Sequence, residues 1–577
     1  MAWAADIQEA PVPALLLALA ACAAQPRELA RAHDGQGRAA THGRGDANPD
    51  TDAATASLVD AGTLELTLRG RPFGRESFAI ERRPDGYVLR AEVQLTAGST
   101  LRLLDGELVT DLAWRPLRGR FRDVKDGGTI TTLDGAPLVL RGTAPFAPPS
   151  ERTASREVSL FLADHTLSHF TPLCAIAAPA VRVGFPGMDV TVGADEPRGA
   201  LVRRRVDLGG TMRALLLCEA GKLIAVEVPV VGLVAVRAGR AADVAAAATR
   251  PRGKPALAPG LLEDERRVRV AAGRHGEAAE LACSLVTPAG RADRRGPAVV
   301  LITGSGAQDR DGDTVGPSGI KLGLLKVLAS ALGEAGVTSL RCDDRGTGAS
   351  TGAFGAATLD TFVADAAAIT AALRREPGID RRRVILVGHS EGAVVATRVA
   401  ARDRAVAGLV LLAGPGRDLD VVLLEQVEHT LRRAGLTDAE VAEALAHHRD
   451  AFAAIAAGEP LPDTAEAREW AGGEAWLRSH LRHDVLATAA TVRAPAVLIV
   501  QGGVDRQVSQ VDAELLAAAF RAGGNPRVTL AVHPSLNHNF AASATGDVAE
   551  YVDPDLAVDP SFVAEVVAFV AGVSPAR

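Results

Sequence analysis

The chain has 577 residues, which is too long for one ordinary domain and indicates two or three. Hydrophobic residues make up 47% of it, enough to bury sizeable cores. The formal net charge of -7, with both signs interspersed, gives no electrostatic footprint for nucleic acid, so we expect no nucleic-acid partner.

Residues 1–22 are typical of an export leader. The apolar run at 12–21 is too short to span a bilayer, which takes roughly 20 residues, and suits the core of a signal peptide. It ends in Leu19-Ala20-Ala21-Cys22, which resembles the lipobox of bacterial lipoproteins, where the cysteine is lipidated after cleavage. The segment before it has two acidic residues and no Lys or Arg, which is unusual for an export signal. We expect an exported protein, periplasmic, lipid-anchored or secreted, with Cys22 as the candidate membrane tether; a disordered Ala-rich leader is the alternative.

The next two segments differ in pattern. Residues 23–56 are rich in Arg, Asp, Gly, Ala and Thr without periodicity, which predicts a disordered tether. Residues 57–245 contain alternating runs, such as 64–68 and 87–93, separated by turn signals. They predict a mainly-β N-terminal domain with an antiparallel sheet, either a partly closed barrel or a sandwich, in a structural or substrate-shielding role.

A Pro-, Gly- and Arg-rich linker at 246–262 precedes a different pattern. From 263 to 577, short Val/Ile/Leu runs alternate with Ala-rich helical segments, which predicts a parallel sheet covered on both faces. Two alternating runs open it as antiparallel strands, and the predicted strands are 267–270, 279–286, 298–302, 338–342, 384–387, 409–412, 496–500 and 528–532. Residues 415–490 carry only helical patterns, notably 419–434 and 438–457, and we expect a helical cap above the sheet edge.

The motif G-x-S-x-G occurs twice, around Ser350 and around Ser390. Ser390 directly follows a predicted strand and precedes an Ala/Val-rich helix, whereas Ser350 follows a Gly-rich loop. A strand–turn–helix arrangement projects the hydroxyl above the sheet edge, next to a helix N-terminus that favours negative charge. We therefore predict that Ser390 is a catalytic nucleophile and that Ser350 is a turn residue.

A serine nucleophile needs a base, and the base needs a third group to orient it. In sheets with such an elbow, the acid and then the histidine follow the nucleophile along the chain, each after a later strand. Asp505 and His538 stand in these places. His533 competes with His538, but it abuts the strand and precedes a proline, so we expect it to end the strand.

The other histidines have weaker claims. His389 lies within the elbow, beside the nucleophile, and cannot be its base. The remaining candidates belong to the insertion, where we expect a solvated helix face: His429, His447, His448, His480 and His483.

No metal and no cofactor are expected. The cysteines, Cys22, Cys174, Cys218, Cys283 and Cys342, form no C-x-x-C pair or Cys/His cluster. Cys283 and Cys342 lie in apolar runs and are interpreted as buried thiols. Asp309, Asp311 and Asp313 alternate as in a calcium loop, but the closing glutamate is absent, so we expect a hydrogen-bonded loop network.

Five motifs occur in order: Gly304-Ser305-Gly306-Ala307-Gln308-Asp309-Arg310-Asp311, Asp343-Asp344-Arg345-Gly346-Thr347-Gly348, Gly388-His389-Ser390-Glu391-Gly392, Leu412-Ala413-Gly414-Pro415-Gly416 and Asn537-His538. Together they resemble a family of bacterial α/β-hydrolase carboxylesterases, related to the serine aminopeptidase-like and acyl-thioester hydrolases. The resemblance covers roughly residues 263–577. It implies an α/β-hydrolase fold, a triad of Ser390, Asp505 and His538, and an oxyanion hole formed by the amides of Ser305 and Glu391. Thr303 stands where many relatives of the wider fold have histidine.

The implied reaction is two-step acyl transfer on a small-molecule ester, with a short acyl chain by family analogy. A peptidase or a thioesterase of the same fold is an alternative, because the same triad serves all three chemistries. A second alternative is a lipoprotein whose β domain binds a lipophilic ligand, with the hydrolase domain incidental. The pattern predicts no particular oligomeric state.

Overall fold

The computed structural model describes residues 56–97, 100–123, 129–134, 138–144, 147–153, 166–176, 180–183, 188–247, 255–273, 276–288, 295–315, 321–493 and 496–576. The predicted leader, and the predicted tether up to residue 55, lie outside the described residues. So does the middle of the predicted linker.

The described residues of the first half of the chain form one antiparallel sheet of 15 strands. The strands are β1 Ser57–Leu68, β2 Arg71–Arg83, β3 Gly86–Ala97, β4 Thr100–Asp111, β5 Pro116–Asp123, β6 Thr129–Asp134, β7 Val139–Ala144, β8 Ala147–Thr153, β9 Ala180–Val183, β10 Met188–Val192, β11 Glu196–Arg198, β12 Leu201–Leu208, β13 Met212–Glu219, β14 Lys222–Val228 and β15 Leu233–Arg237. Their order is β8-β7-β6-β5-β4-β3-β2-β1-β15-β14-β13-β12-β10-β9, with β11 paired to β12. Helices α1 (Thr171–Ala175) and α2 (Ala241–Ala247) accompany the sheet.

This sheet is continuous, unlike the two separate sheets of a sandwich. Strands β2 to β8 follow one another on one side of β1, and β15 pairs with β1 on the other side. The described strands therefore form one unbroken ladder. Both halves bury side chains in the same core, Leu64 and Val93 from one half and Val206 and Leu216 from the other. The antiparallel sheet that the alternating runs predict is therefore present in the described residues.

The second half of the chain forms an eight-stranded mixed sheet. Its strands are β16 Leu261–Val270, β17 Ala279–Pro288, β18 Gly296–Ile302, β19 Thr338–Cys342, β20 Ile379–His389, β21 Val406–Leu412, β22 Ala496–Gly502 and β23 Val528–His533. The order is β16-β17-β19-β18-β20-β21-β22-β23. Strand β17 runs antiparallel to both of its neighbours, β16 and β19, and the other neighbouring strands are parallel. Each strand predicted in this region is found, because a parallel sheet buried on both faces leaves near-continuous apolar runs in the sequence.

Helices cover both faces of this sheet. One face packs against α3 (Leu324–Glu334) and α12 (Pro560–Gly572). The other packs against α4 (Leu359–Leu373), α5 (Glu391–Arg402) and α11 (Gln510–Ala522). Within the described part of the chain, no helix is both long and apolar enough to cross a membrane.

Between β21 and β22 the chain is helical, as predicted. The helices are α6 Leu419–Arg433, α7 Asp438–Ala457, α8 Ala465–Arg468, α9 Glu474–Leu481 and α10 Val485–Thr491. Helix α7 begins at a capping box formed by Thr437 and Glu440 and ends at Gly458, whose φ of 82° is left-handed. These helices bury small cores of their own, including Phe452 and Trp470.

The interpretation of Cys283 and Cys342 as buried thiols is wrong. They lie opposite each other on the neighbouring strands β17 and β19, and their sulfurs form a disulfide. A second disulfide joins Cys174 to Cys218. The strand pairing that brings residues 59 positions apart into contact is non-local, so the apolar surroundings showed burial but not bonding.

The two sheets meet at the chain segment that follows His538. Asp553 accepts a hydrogen bond from Arg213 at 2.6 Å and pairs also with Arg205, both on strands of the β domain. The backbone amide of Ala549 donates to the carbonyl of Gly210, in the hairpin turn between β12 and β13, at 3.1 Å. The β domain is thus attached close to the C-terminal edge of the second sheet.

Candidate active site

Ser390 lies at a sharp turn between the end of β20 and the start of α5. Its φ of 54° and ψ of −120° are strained for a non-glycine residue. Its amide donates to the carbonyl of Leu412 at the end of the next strand, at 2.8 Å. The backbone leaves no room for side chains on either flank: a Cβ on Gly388 would lie 2.0 Å from the carbonyl oxygen of Gly392. The predicted strand–turn–helix arrangement is present.

Ser350 is placed differently. Its hydroxyl donates to the carbonyl of Asp343 at 2.8 Å and accepts from the amide of Ala282 at 2.9 Å. It therefore joins a loop to strand β17, which agrees with the prediction of a turn residue.

Asp505 and His538 lie on the loops that follow β22 and β23 and form a hydrogen bond. The Nδ1–H of His538 donates to Oδ2 of Asp505 at 2.8 Å, and both side chains are buried. Oδ1 of Asp505 accepts from the amides of Gln507 and Val508, and Oδ2 accepts from the side-chain amide of Gln501 at 3.0 Å. Because Nδ1 carries the proton, Nε2 of His538 has a free lone pair, which is the form a general base requires.

Ser390 and His538 line one cavity. In the described part of the chain, no hydrogen bond links the hydroxyl of Ser390 to His538. Catalytic hydrogen bonds are often long in ligand-free enzymes and tighten when substrate binds.

His389 contacts His538 and holds its backbone. Its Nε2–H donates to the carbonyl of His538 at 2.9 Å, and the two rings lie 4.8 Å apart. Burial lowers the pKa of His389 to about 3, so the ring is neutral. The sequence indicated that His389 is not the base; its support of the histidine loop was missed, because residues 149 positions apart leave no local signal.

His533 points elsewhere. Its Nε2 pairs with Glu565 of α12 at 2.8 Å. It ends strand β23, as predicted, and does not line the cavity.

The loop after β18 lies directly against the elbow: a Cβ on Gly304 would be 3.2 Å from Cβ of Ser390. Gln308 braces this loop, because its side chain accepts from the amide of Gly304 at 3.1 Å and donates to the carbonyl of Ser305 at 3.2 Å. The amide of Ser305 has no acceptor among the described residues, which leaves it available to a ligand.

Asp344 holds the loop after β18 through two hydrogen bonds. It accepts from the hydroxyl of Thr303 at 2.6 Å and from the amide of Gln308 at 2.9 Å. Burial raises the pKa of Asp344 to about 8. Thr303 therefore stabilises the loop through Asp344, at the position where many relatives of the wider fold have histidine.

The alternating aspartates bond within their loop and to a neighbouring strand. Asp309 accepts from the amides of Asp311 and Asp313, at 2.9 and 3.2 Å. Asp311 pairs with the buried Arg341. Among the described residues, no group of acidic, histidine or cysteine side chains is arranged to hold a metal ion.

The cavity above Ser390 has a volume of about 220 Å³. Helices of the insertion supply much of its wall, with Leu419, Val422, Leu423, Trp470, Trp476 and Val485. Polar groups of the insertion also face it, among them Glu469 and His483. Burial raises the pKa of Glu469 to about 8, aided by the charge of Glu466, and burial lowers the pKa of His483 to about 4.

The prediction of a solvated face for the insertion histidines is wrong for two of them. His448 is fully buried and accepts from the indole N–H of Trp470 at 3.0 Å. His480 is buried against Glu391. Both are covered by contacts between separate helices, which helical periodicity alone does not reveal.

Residues 321–542 match the family model described as serine aminopeptidase, S33. The sheet order, the elbow and this match agree. The C-terminal domain has an α/β-hydrolase fold. No curated protein matches the chain.

Several solved structures are similar to this domain. The hypothetical protein PA2218 from Pseudomonas aeruginosa shares 16% identity, over 57% of this chain and 98% of its own, with a TM-score of 0.37. The esterase Pf2001 from Pyrococcus furiosus shares 15% identity, over 56% of this chain and 97% of its own, with a TM-score of 0.37. Est1E from Butyrivibrio proteoclasticus, solved with ferulic acid bound, shares 18% identity, over 53% of this chain and 96% of its own, with a TM-score of 0.34.

His389→Ala tests the support of the histidine loop. It removes the donor to the carbonyl of His538, and a buried unpaired carbonyl costs about 1–3 kcal/mol of unfolding free energy. Loosening His538 should also lower kcat for an activated ester by roughly 10- to 100-fold. Urea denaturation and steady-state kinetics measure the two effects.

His533→Ala is the matched control. It removes the contact with Glu565 on the other side of the loop and should leave kcat unchanged. An equal loss of kcat in both variants would contradict the assignment of separate roles to the two histidines.

Proposed function

We propose that the protein is a serine hydrolase of carboxylic esters, with Ser390 as the nucleophile, His538 as the general base and Asp505 as the group that orients the base. The observation that carries this proposal is the Asp505–His538 hydrogen bond, at the edge of the cavity that also contains the strained Ser390. The chemistry requires no cofactor.

The reaction follows from the positions of these groups. Nε2 of His538 takes the proton of the Ser390 hydroxyl while Oγ attacks the ester carbonyl carbon. The amides of Ser305 and Glu391 donate to the developing oxyanion. His538 then gives the proton to the leaving alcohol, and in the second half-reaction it deprotonates the water that releases the acid and regenerates Ser390.

A peptidase remains the second candidate because of one residue. Glu469 faces the cavity, and its Oε2 is buried without a partner among the described residues. Such a carboxyl suits a substrate amine. The rest of the insertion wall is mainly apolar, and we find no second unpaired carboxyl lining the described cavity, so the ester is the better-supported substrate.

Ser390→Ala should lower kcat by roughly four to six orders of magnitude, because the nucleophile is lost while the fold remains. Turnover of a short-chain p-nitrophenyl ester by the variant and the wild type measures the loss. Turnover of this ester, a thioester and an aminoacyl anilide by the wild type ranks the three chemistries. We expect the ester to be fastest and a fluorophosphonate probe to label only protein that retains Ser390.

Ser350→Ala is the control in the second motif. It removes the hydrogen bonds to Asp343 and Ala282, so its unfolding midpoint should fall, yet turnover per folded molecule should equal that of the wild type. Near-wild-type turnover in Ser390→Ala would refute the proposal.

We propose further that helices α6–α10 act as a cap that shapes the acyl pocket. Leu419→Trp would narrow the cavity and should lower the octanoate-to-acetate ratio of kcat/KM about tenfold, since methylene contacts in such pockets carry that much discrimination. Val421→Trp lies on the exposed side of the same helix and should leave the ratio unchanged. Identical ratios in both variants and the wild type would count against a cap.

The protein is proposed to be exported. The lipobox-like Leu19-Ala20-Ala21-Cys22 supports export, and the four cysteines that the structure describes are paired in disulfides, which persist in oxidising compartments. Expression with the native upstream region should yield a mature protein whose measured mass corresponds to a chain that begins at a lipidated Cys22. Recovery of a product that retains residues 1–21 and a free Cys22 thiol would rule this out.

A further inference from the structure

The side chain of Glu391 has no part in the mechanism described above, although its backbone amide does. Glu391 directly follows Ser390 and is only 8% exposed. A buried carboxyl is costly unless it is hydrogen-bonded, so its partners reveal its purpose.

Both partners of Glu391 come from the cap helix α9. Its Oε1 accepts from the indole N–H of Trp476 at 2.8 Å and pairs with Nε2 of His480 at 2.7 Å. The three residues line the cavity, and His480 is buried as well. One carboxyl oxygen therefore links the first turn of α5 to a helix 83 positions or more along the chain.

A second contact also holds α9. The hydroxyl of Ser479 accepts from the amide of Leu359, at the start of α4, at 2.9 Å. This contact fixes α9 over the sheet but does not reach the elbow. Among the described residues, the hydrogen bonds from α9 to the first turn of α5 are both made to Glu391.

We propose that Glu391 is a positioning residue that fastens the cap helix α9 to the nucleophile elbow. The inference rests on the proposed function, because it assigns the amide and the carboxyl of one residue to two linked tasks. The amide donates to the oxyanion, and the carboxyl sets the position of Trp476 and His480 in the pocket wall. Closure of the wall around a substrate and orientation of the oxyanion-hole amide are thereby coupled.

The variants Glu391→Ala, Glu391→Gln and Trp476→Phe separate this role from simple packing. Glu391→Ala removes both hydrogen bonds and should lower kcat/KM for a medium-chain ester about 30- to 100-fold, with a rise in KM and a fall in kcat. Glu391→Gln keeps an accepting oxygen and should stay within about threefold to fivefold of the wild type. Trp476→Phe keeps most of the ring but loses the donor, and should cost about fivefold to tenfold.

A double-mutant cycle supplies the decisive comparison. Glu391→Ala/Trp476→Phe should be little worse than Glu391→Ala alone, because both remove the same contact. Trp470→Phe is the matched control: it also removes an indole donor from the cavity wall, but that donor bonds His448 inside the cap. Its effect should add to that of Glu391→Ala.

Hydrogen exchange on the full chain gives a readout that does not depend on turnover. The amides of α9 should exchange faster in Glu391→Ala, while those of α7 keep their wild-type rates. The inference is overturned if the Glu391 and Trp476 variants combine additively, or if the exchange of α9 is unchanged. A wild-type protein that neither turns over esters nor reacts with a fluorophosphonate would instead refute the proposed function, and the exchange result would still decide whether Glu391 fastens the helix.

Discussion

The close backbone contact around Ser390 is the constraint on which the site depends. A left-handed φ at a serine costs about 1–3 kcal/mol and persists only where the surroundings enforce it. Here a Cβ on Gly392 would lie 2.4 Å from the carbonyl oxygen of Thr303, so α5 packs on the loop after β18 with no space between them. The parallel strands on either side hold both pieces. The nucleophile and the two candidate oxyanion amides therefore share one rigid arrangement, and none of them can shift alone.

The segment that follows His538 connects this arrangement to the rest of the chain. Asp547 pairs with His429 of the cap at 2.6 Å, and Tyr551 contacts Gln507, which itself donates to Asp505. A few residues later, Asp553 pairs with arginines of the β domain. Buried ion pairs contribute little net stability, but they impose one relative orientation on the groups they join. The β domain thus contacts the same segment that contacts the insertion helices through His429.

The parts of this protein that could be predicted are those with a local signal. Apolar runs located the strands, and the ends of parallel strands share one edge, so Asp505 and His538 could be placed near each other before any contact was known. Helical patterns located two helices of the insertion, at 419–434 and 438–457. The bracing of the site could not be predicted, because the contacts of His389 with His538 and of Glu391 with His480 join residues that are 149 and 89 positions apart. Such pairs depend on packing that no periodicity encodes.

Burial also decides which groups near the nucleophile carry charge. His389 lies against the ring of His538, where a second positive charge would oppose the imidazolium that the proposed reaction forms when Ser390 gives up its proton. Burial prevents this by lowering the pKa of His389 to about 3. Behind the oxyanion loop, burial raises the pKa of Asp344 to about 8, which keeps a negative charge away from the developing oxyanion at neutral pH. Two ionisable side chains beside the proposed catalytic groups are thus made neutral by the same packing that positions them.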